Sequence, residues 1–447
     1  MEIIDIIKKD YEQISDLNIN HYNKKYLVYL ESLCSSDKIN EYVLKKDKKL
    51  NGPKEIIVNI NNYQDYLNNG YLLIVSKSKI IAIEVKENNF RSITTPETQI
   101  SYNGPKDSFN ENYLTNLSLI KKRIKTNELK SIDFNLGKYT KTLTSILYLD
   151  NVAKMTNVNK IKKILANINI DGILDASRLS EYLKNNTSFA PQVFMTERPD
   201  YVCQALLNGK IIILVDNSPY ALILPAFLID FINPPLDNYS KPILVNSIKA
   251  LRIIAFLITM MLPAIYIALT NYNQETIPLN ILLSLSTARK TVPFPSIIEA
   301  LMMLFIYELL RESDIHFPKN FGSANSILGA LILGEASVKA GIVSPIMIII
   351  IAITFIASLI FNNLDFINAI RHYRLLFLIS ASLCGLFGIM LTLFYFLTKL
   401  SEVNSLNYPY TIPLIPFDKA YFKESIIKLK NNKRSNNLSN NLIKERD

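Results

Sequence analysis

Tryptophan is absent from the 447-residue chain, and cysteine, histidine and glycine are scarce, with three, three and twelve copies. Cys34, Cys203 and Cys384 are too few and too far apart for a disulfide framework or a paired-cysteine metal site. The histidines show no metal-ligand spacing, and the few glycines form no phosphate-cradling loop or nucleophile elbow. We therefore expect no enzyme, no cofactor and no metal site.

Apolar residues are abundant, at 49% of the chain with a mean hydropathy of +0.16, but they are unevenly distributed. Up to about residue 248, charged and Asn-rich segments alternate with short apolar runs, whereas long apolar stretches dominate from Ile253 onward. The first residues carry acidic side chains where a secretory signal needs a basic head and an apolar core. This pattern predicts a polar, non-exported domain followed by a membrane domain.

The net charge of +10 is compatible with anionic lipid, cytoplasmic loops or nucleic acid as the reason for the basic surplus. From Lys419 to the end, the tail is rich in Lys and Arg and shortly follows an apolar run. Such a tail favours contact with membrane lipids on the cytoplasmic side. Because aromatic residues are not interleaved with the basic ones, we expect no nucleic-acid partner.

The polar half shows both strand and helix patterns. β-branched runs bounded by turn residues predict strands, with a hairpin between the second and third: 55–60, 71–75, 80–85, 131–136, 141–149, 211–216 and 220–225. Apolar residues at helical spacing predict helices over 109–124, 160–168 and 178–186. We expect two α/β subdomains, residues 1–130 and 131–245.

The apolar half predicts a transmembrane domain over residues 246–400. Lys249 and Arg252 precede a bilayer-length apolar stretch, and no basic residue follows until Arg289, so the N-terminal domain should be cytoplasmic. Further apolar stretches occupy 295–313, 323–341, 342–361 and 374–397. Because Arg371 and Arg374 lie between the last two, we expect about four spans plus a re-entrant or interfacial helix. Residues 401–447 should form a basic cytoplasmic tail.

Glu335 and Lys339 interrupt the apolar half, and their spacing places them on one helix face as a favourable pair. Charges inside a bilayer face a partner or water, and small residues let helices approach closely. Pro345 should also free a backbone carbonyl near Gly341. We predict that 322–361 lines or gates a pore, with these residues nearest the axis: Gly322, Ser326, Gly329, Gly334, Glu335, Ser337, Val343 and Ser344. A merely structural intramembrane ion pair is an equally good interpretation of Glu335 and Lys339.

Four short motifs carry a resemblance to a known family: TERPD at 196–200, VDNSP at 215–219, VPFP at 292–295 and GEASVKAGIVSP at 334–345. They resemble the A subunits of the GerA family of spore germinant receptors, and the similarity runs from about Thr95 to Pro416. Asn217 stands where the family commonly has glycine, which asparagine tolerates because it also adopts left-handed backbone. We assign the motif residues structural roles: Thr196, Glu197, Arg198, Pro199, Asp200, Asp216, Ser218, Pro219, Pro293, Pro295 and Glu299. For Arg198 and Asp200, an internal salt bridge is favoured over ligand binding.

The resemblance implies a multi-pass protein of the spore inner membrane that assembles with a transporter-like B subunit and a lipoprotein C subunit. In the family, the A subunit is thought to form a homo-oligomeric ring that conducts cations when a nutrient binds the B subunit. The alternatives are a non-conducting membrane scaffold with a cytoplasmic signalling domain, and the paralogue made with the dipicolinate-channel operon. The expected fold is an α/β cytoplasmic domain of two subdomains, an α-helical multi-pass membrane domain and a short basic cytoplasmic tail.

Overall fold

The computed structural model describes residues 3–22, 25–44, 55–60, 62–76, 79–86, 95–96, 98–99, 104–184, 189–233, 241–316, 334–415 and 417. Within these residues the polar half contains two five-stranded antiparallel sheets, and the apolar half contains helices. The expected α/β domain is therefore present, and it contains two sheets.

The first sheet lies in the N-terminal subdomain. Its strands are β1 (Leu17–Tyr22), β2 (Lys25–Leu30), β3 (Glu55–Val58), β4 (Tyr71–Val75) and β5 (Ile80–Glu84), in the order β1-β2-β4-β5-β3. Helices α1 (Ile3–Asp10), α2 (Ser36–Leu44) and α3 (Tyr63–Leu67) accompany the sheet. The predicted hairpin is present, with Val75 opposite Ile80. Strand β1 was not predicted, because its apolar residues are interrupted by Asn and His, and β2 was also missed although its residues 26–30 form an uninterrupted apolar run.

The second sheet is covered by helices on both faces. Its strands are β6 (Leu129–Leu136), β7 (Thr142–Leu149), β8 (Phe194–Thr196), β9 (Ile211–Val215) and β10 (Ala221–Leu224), in the order β6-β7-β9-β10-β8. One face packs against α5 (Met155–Ala166) and α6 (Ala176–Leu183). The other packs against α4 (Tyr113–Lys121) and α7 (Pro199–Leu207). Although α4 precedes residue 130, where we placed the subdomain boundary, its apolar side chains belong to the core of the second sheet.

The helical half follows α8 (Leu228–Ile232). It contains α9 (Pro242–Asn271), a 3-10 turn (Gln274–Thr276), α10 (Leu279–Arg289), α11 (Ser296–His316), a short helical segment at 334–339, α12 (Pro345–Ser358) and α13 (Leu364–Glu402). By length and composition, α9 and α13 are the described helices that could cross a membrane.

Helix α13 reverses direction at Gly385, where the backbone leaves helical geometry with φ 59° and ψ −140°. The ring centroids of Tyr373 and Phe396 lie 4.7 Å apart, and the Thr392 hydroxyl donates to Ser380 Oγ at 2.6 Å. In a straight helix Tyr373 and Phe396 would be about 35 Å apart at about 1.5 Å per residue. The stretch 374–397 is therefore not the single span we expected but parts of two antiparallel arms, 364–383 and 386–402.

The helical half has a proximal end, which contacts the second sheet, and a distal end. At the proximal end, Phe231 of α8 stacks on Phe366 with centroids 5.6 Å apart, and Lys184 pairs with Asp365 at 2.7 Å. At the distal end, the Tyr272 hydroxyl donates to the carbonyls of Ser382 and Leu383 at 2.6 and 3.0 Å. Both arms of α13 therefore run between the two ends, with their connection at the distal end.

Residues 403–415, the strap, return to the second subdomain and pack there. They include the short strands β11 (Asn404–Ser405) and β12 (Tyr408–Pro409). Ser405 Oγ accepts from the Ala226 N–H at 3.0 Å and donates to the Gln192 carbonyl at 2.9 Å. The Lys160 ammonium donates to the Leu406 carbonyl at 2.6 Å. The first part of the expected tail, 401–447, is thus a folded connection, and the basic residues from Lys419 lie outside the described residues.

Candidate pore segment

The described part of the candidate pore segment is a tight turn between two helices. Helix 334–339 ends in a Schellman arrangement, with the Gly341 N–H donating to the Val338 carbonyl at 2.9 Å and the Ile342 N–H to the Ser337 carbonyl at 3.0 Å. Gly341 has φ +67°, and a Cβ there would lie 3.0 Å from the Thr291 carbonyl oxygen. The turn therefore requires glycine at this position.

Pro345 begins α12 instead of interrupting a helix. Ser344 is the N-cap, and its side chain accepts from the Met347 N–H at 3.4 Å. Proline is well accommodated at the first helical position, because the N–H it lacks would have no helical partner there. Our expectation that Pro345 frees a carbonyl near Gly341 is wrong, since the preceding helix has already ended at Gly341.

Glu299 lies four residues after the VPFP motif and contacts the 334–345 motif at the distal end. Its side chain is 0% exposed, and Oε2 accepts from the Ser344 N–H at 3.0 Å. The Arg289 guanidinium lies 3.4 Å from Oε1. The carboxylate also sits at the N-terminus of α12, where the helix dipole favours negative charge. Glu299 therefore fixes the turn at Ser344 against α11.

Polar groups around Glu299 are only partly satisfied. The Ser296 hydroxyl donates to Asn271 Oδ1 at 2.9 Å, which joins the start of α11 to the end of α9. Among the described residues, the Tyr266 hydroxyl and Glu299 Oε1 are buried without a hydrogen-bond partner. Pro295 has a local role, since its carbonyl accepts from the Ile298 N–H at 2.9 Å and starts α11, while no described contact explains Pro293.

The predicted axis residues divide into two environments. Glu335 Oε1 and Lys339 Nζ form an ion pair at 2.7 Å, with side chains 60% and 75% exposed on the surface of the single chain. A Cβ at Gly334 would meet no atom within 4 Å, and Ser337 is half-buried. By contrast, Val343 and Ser344 are buried inside the fold. Gly322, Ser326 and Gly329 lie outside the described residues.

The TERPD motif forms a buried clamp in the second subdomain. Arg198 is fully buried and binds Asp200 through two bonds, Nε to Oδ1 at 3.0 Å and Nη2 to Oδ2 at 2.7 Å. Glu197 Oε1 accepts from the Thr98 and Gln99 N–H groups at 2.7 and 2.8 Å. Thr196 donates to Gln99 Oε1 at 2.6 Å, and Pro199 starts α7. The motif thus holds 98–99 against β8 and places the Arg198–Asp200 pair inside the domain.

The VDNSP turn joins β9 and β10 and fixes neighbouring elements. Asn217 adopts φ 61°, and its N–H donates to the Glu111 carbonyl at 2.8 Å. Asp216 Oδ1 accepts from the Tyr113 N–H at 3.2 Å, and the Ser218 hydroxyl donates to Asp175 Oδ1. Burial alone would raise the pKa of Asp175, but hydrogen bonds from Ser177 and Ser218 outweigh it and lower the pKa. Pro219 follows in the turn.

Sequence reasoning missed the partners of Glu299. Arg289 was noted only as the next basic residue after Arg252. Tyr266, which lies near Glu299 without a hydrogen-bond partner, was not noted because it lies within a uniformly apolar stretch. In the part of the chain that is described, no cluster of His, Cys, Asp and Glu could hold a metal ion. The geometry therefore presents a helical turn fixed by a buried carboxylate beside an exposed ion pair.

Comparisons with known proteins agree over most of the chain. A family model described as Bacillus/Clostridium GerA spore germination protein matches residues 5–438. The chain is similar to spore germination protein GerQA of Bacillus cereus, at 33% identity over 96% of this chain and 89% of that protein. It is also similar to spore germination protein KA of Bacillus subtilis (strain 168), at 36% identity over 76% of this chain. That second match spans 62% of the relative's length.

One solved structure is also similar in part. It is the crystal structure of the N-terminal domain of the A subunit of the Bacillus megaterium spore germinant receptor GerK3. The match has a TM-score of 0.39 and 28% identity, and it covers 51% of this chain and 95% of that one.

Proposed function

The chain belongs to the GerA family of spore germination proteins, and from that membership we propose that it is the A subunit of a nutrient germinant receptor in the spore inner membrane. Both relatives named above, KA and GerQA, are named as spore germination proteins. The subunit forms a homo-oligomeric ring that conducts cations, and it assembles with a transporter-like B subunit and a lipoprotein C subunit.

The exposed pair Glu335 and Lys339 is the observation that carries the channel proposal. Exposed apolar side chains dominate the helical half, including Leu279, Phe305, Ile356 and Phe387. Two exposed charges on such a surface require water or a neighbouring subunit if the surface lies in a bilayer. A ring in which the 334–339 segments face a shared aqueous path meets this requirement.

The hairpin in α13 supports a multi-pass membrane domain with both termini cytoplasmic. Each arm is roughly 25–30 Å long at about 1.5 Å per residue, close to the hydrocarbon thickness of about 30 Å. Helix α11 begins near Asn271 at the distal end, and farther along α11 Arg311 donates to Asn368, near the proximal start of the first arm, at 3.1 Å. Helix α9, α11 and the two arms therefore each connect the same two ends.

Cys384 offers a direct test of this topology, because it is exposed while Cys34 and Cys203 are buried. A membrane-impermeant maleimide should label Cys384 from the outer face of right-side-out vesicles, since the distal connection lies on that side. Cys384→Ser is the control for background labelling. If 374–397 crossed as one span, Cys384 would lie near the bilayer centre, and protection from both faces would refute the proposed arrangement.

The channel proposal is tested with charge-neutralising variants in spores. Glu335→Gln should alter cation release during germination while leaving receptor assembly intact, because a pore-facing carboxylate acts on ions and not on packing. Glu402→Gln is the matched control: Glu402 forms an exposed ion pair with Lys399 at 2.8 Å, but at the proximal end. Germination, ion release and co-purification of the other subunits are measured for both variants.

The outcomes separate the channel from a scaffold. Loss of assembly in both Glu335→Gln and Lys339→Met, with normal cation release by the complexes that do form, would assign the pair a structural role. Normal germination, cation release and assembly in both variants would contradict the assignment of the pair to a pore. A monomeric or dimeric detergent-solubilised chain would likewise contradict a central ring.

A further inference from the structure

The buried carboxylate of Glu299 has a hydrogen bond on one oxygen only. Its side chain is 0% exposed, and Oε2 accepts from the Ser344 N–H at 3.0 Å. Within the part of the chain that is described, Oε1 has no hydrogen-bond partner. Arg289 Nη2 lies 3.4 Å from Oε1, which is close enough for an ion pair but longer than an ordinary hydrogen bond. Oε1 therefore has a compensating charge nearby but no donor.

A second buried polar group lies beside this carboxylate. The Tyr266 side chain is 8% exposed, and its hydroxyl has no hydrogen-bond partner among the described residues. Tyr266 lies next to Glu299, Ser344 and Arg289. Buried polar atoms in folded proteins are nearly always paired, so two such groups side by side are not explained by packing alone. Together with Ser344 Oγ they form a set of oxygen ligands.

The chemistry of these groups is that of a monovalent-cation site. Hard cations bind carboxylate, hydroxyl and carbonyl oxygens, and divalent ions in all-protein sites draw on several carboxylates. Glu299 is one carboxylate, and no group of His, Cys, Asp and Glu in the described residues could hold a metal ion. A single positive charge is therefore the ligand that matches the single negative charge of this site.

Arg289 supplies that positive charge in the structure, but it is loosely held. It ends α10, a helix of eleven residues of which Leu285 alone is buried, and its side chain is 26% exposed. By contrast, the Arg198 side chain is fully buried and makes two hydrogen bonds to Asp200. Arg289 can therefore withdraw from Glu299 without opening the core of the helical half.

The site lies against the candidate pore segment. Ser344 belongs to that segment and follows its turn at Gly341. The Thr291 carbonyl oxygen, two residues after Arg289, lies 3.0 Å from the position that a Cβ at Gly341 would take. A movement of Arg289 therefore acts on the neighbour that packs against this turn.

We propose that Glu299, Tyr266 and Ser344 bind a monovalent cation such as potassium, and that Arg289 occupies the site until the cation replaces it. The exchange substitutes one positive charge for another, so the buried carboxylate stays neutralised. The binding site rests on the buried groups described above. Its part in conduction, as a cation site at the outer mouth of the path, rests on the channel function proposed above.

The test uses the purified full chain in a neutral detergent. Melting temperatures are compared in potassium chloride and in N-methylglucamine chloride at equal ionic strength, and retention of radioactive rubidium is measured by equilibrium dialysis. The natural chain should respond little to the choice of cation, because Arg289 neutralises Glu299. Arg289→Gln should melt at a lower temperature in N-methylglucamine chloride, and potassium should restore most of the loss. This variant should also bind rubidium about tenfold more tightly than the natural chain, because a like charge at short range is removed.

Three further variants distinguish a cation site from a structural ion pair. Adding Glu299→Gln to Arg289→Gln should abolish the potassium response, although Gln still offers an acceptor to the Ser344 N–H. Tyr266→Phe in the Arg289→Gln background keeps the ring but should weaken rubidium retention. Lys399→Gln is the matched control, because it removes a cation from an exposed pair with Glu402 at the proximal end and should show no potassium-specific response.

The cation site and the channel fail in different ways. Equal melting of Arg289→Gln in the two salts, or failure of this variant to fold in either, would overturn the cation site, since potassium would then not replace the guanidinium. If the channel proposal also holds, spores carrying Arg289→Gln should release cations before any nutrient is added. Rubidium retention by the purified variant with unchanged cation release in spores would uphold the site and contradict the channel.

Discussion

Replacing Gly385 with alanine tests the chain reversal that divides α13 into two arms. Gly385 adopts φ 59° and ψ −140°, a region that residues with a Cβ avoid. A Cβ there would also lie 2.9 Å from Cβ and Cγ of Tyr272. Both the backbone conformation and the close approach of α9 therefore require glycine.

The expected cost has two parts. A non-glycine residue in a sparsely populated backbone region costs about 1–3 kcal/mol, and overpacking against Tyr272 costs about 1–3 kcal/mol more. Gly385→Ala should therefore destabilise the helical half by about 2–6 kcal/mol. Gly334→Ala is the matched control, because a Cβ at Gly334 meets nothing within 4 Å and alanine is the better helix former.

Thermal unfolding in detergent, followed by circular dichroism at the helix band, measures the effect on the purified chain. Gly385→Ala should lower the melting temperature clearly, and Gly334→Ala should leave it unchanged or raise it slightly. In a Tyr272→Ala background, the alanine at position 385 should cost less, because the overlap is gone while the backbone strain remains. Equal melting temperatures for Gly385→Ala and Gly334→Ala would refute the reversal, and an unchanged cost in the Tyr272→Ala background would refute the steric part.

Three further predictions concern the second subdomain. Ser218→Ala should lower the free energy of unfolding by about 1 kcal/mol at neutral pH, because it removes a hydrogen bond that lowers the pKa of the partly exposed Asp175. The difference in melting temperature between this variant and the natural chain should persist above the ordinary pKa of the carboxyl group. It should disappear as the pH falls through the lowered pKa. Asp200→Asn should cost about 3–5 kcal/mol, because it leaves the fully buried Arg198 without its charged partner, and expression yield with denaturant titration would show it. Burial raises the pKa of Cys203 to about 12, so iodoacetamide at pH 8 should modify this thiol only as fast as the protein unfolds, as followed by peptide mass spectrometry.

Local signals in the polar half were sufficient to predict most of its elements. The run from Tyr71 to Val75 and the run from Ile80 carry β-branched residues around a short polar turn, and they pair as expected. Short strands such as β8 were missed, because three residues give no measurable period. The strap was also missed, because Ser405 contacts Gln192 and Leu406 contacts Lys160 only in the folded chain, and neither sequence segment indicates these contacts.

The sequence predicted which types of side chain occur at the candidate site but not which of them are in contact. Charge spacing alone indicated the pair of Glu335 and Lys339, because residues four apart share a helix face. Glu299 was assigned only a structural motif role, since its partners Ser344 and Arg289 come from other elements. Helical periodicity describes one element at a time and therefore could not place Ser344 beside Glu299.

The reversal at Gly385 also explains the charge distribution that opposed a simple topology. Arg371 and Arg374 lie between two apolar stretches and would fall on the outer side if 374–397 crossed the membrane once. Because the chain turns back at Gly385, Arg371 lies in the proximal half of the first arm and Arg374 about midway along it, and Lys249 lies in the first third of α9. The distal connection between α9 and α10 carries no basic residue, although Arg289, paired with Glu299, also lies at the distal end. An apolar run that contains a glycine and is flanked by basic residues is thus compatible with a helical hairpin as well as with one long span, and the contact between Tyr373 and Phe396 decides between the two.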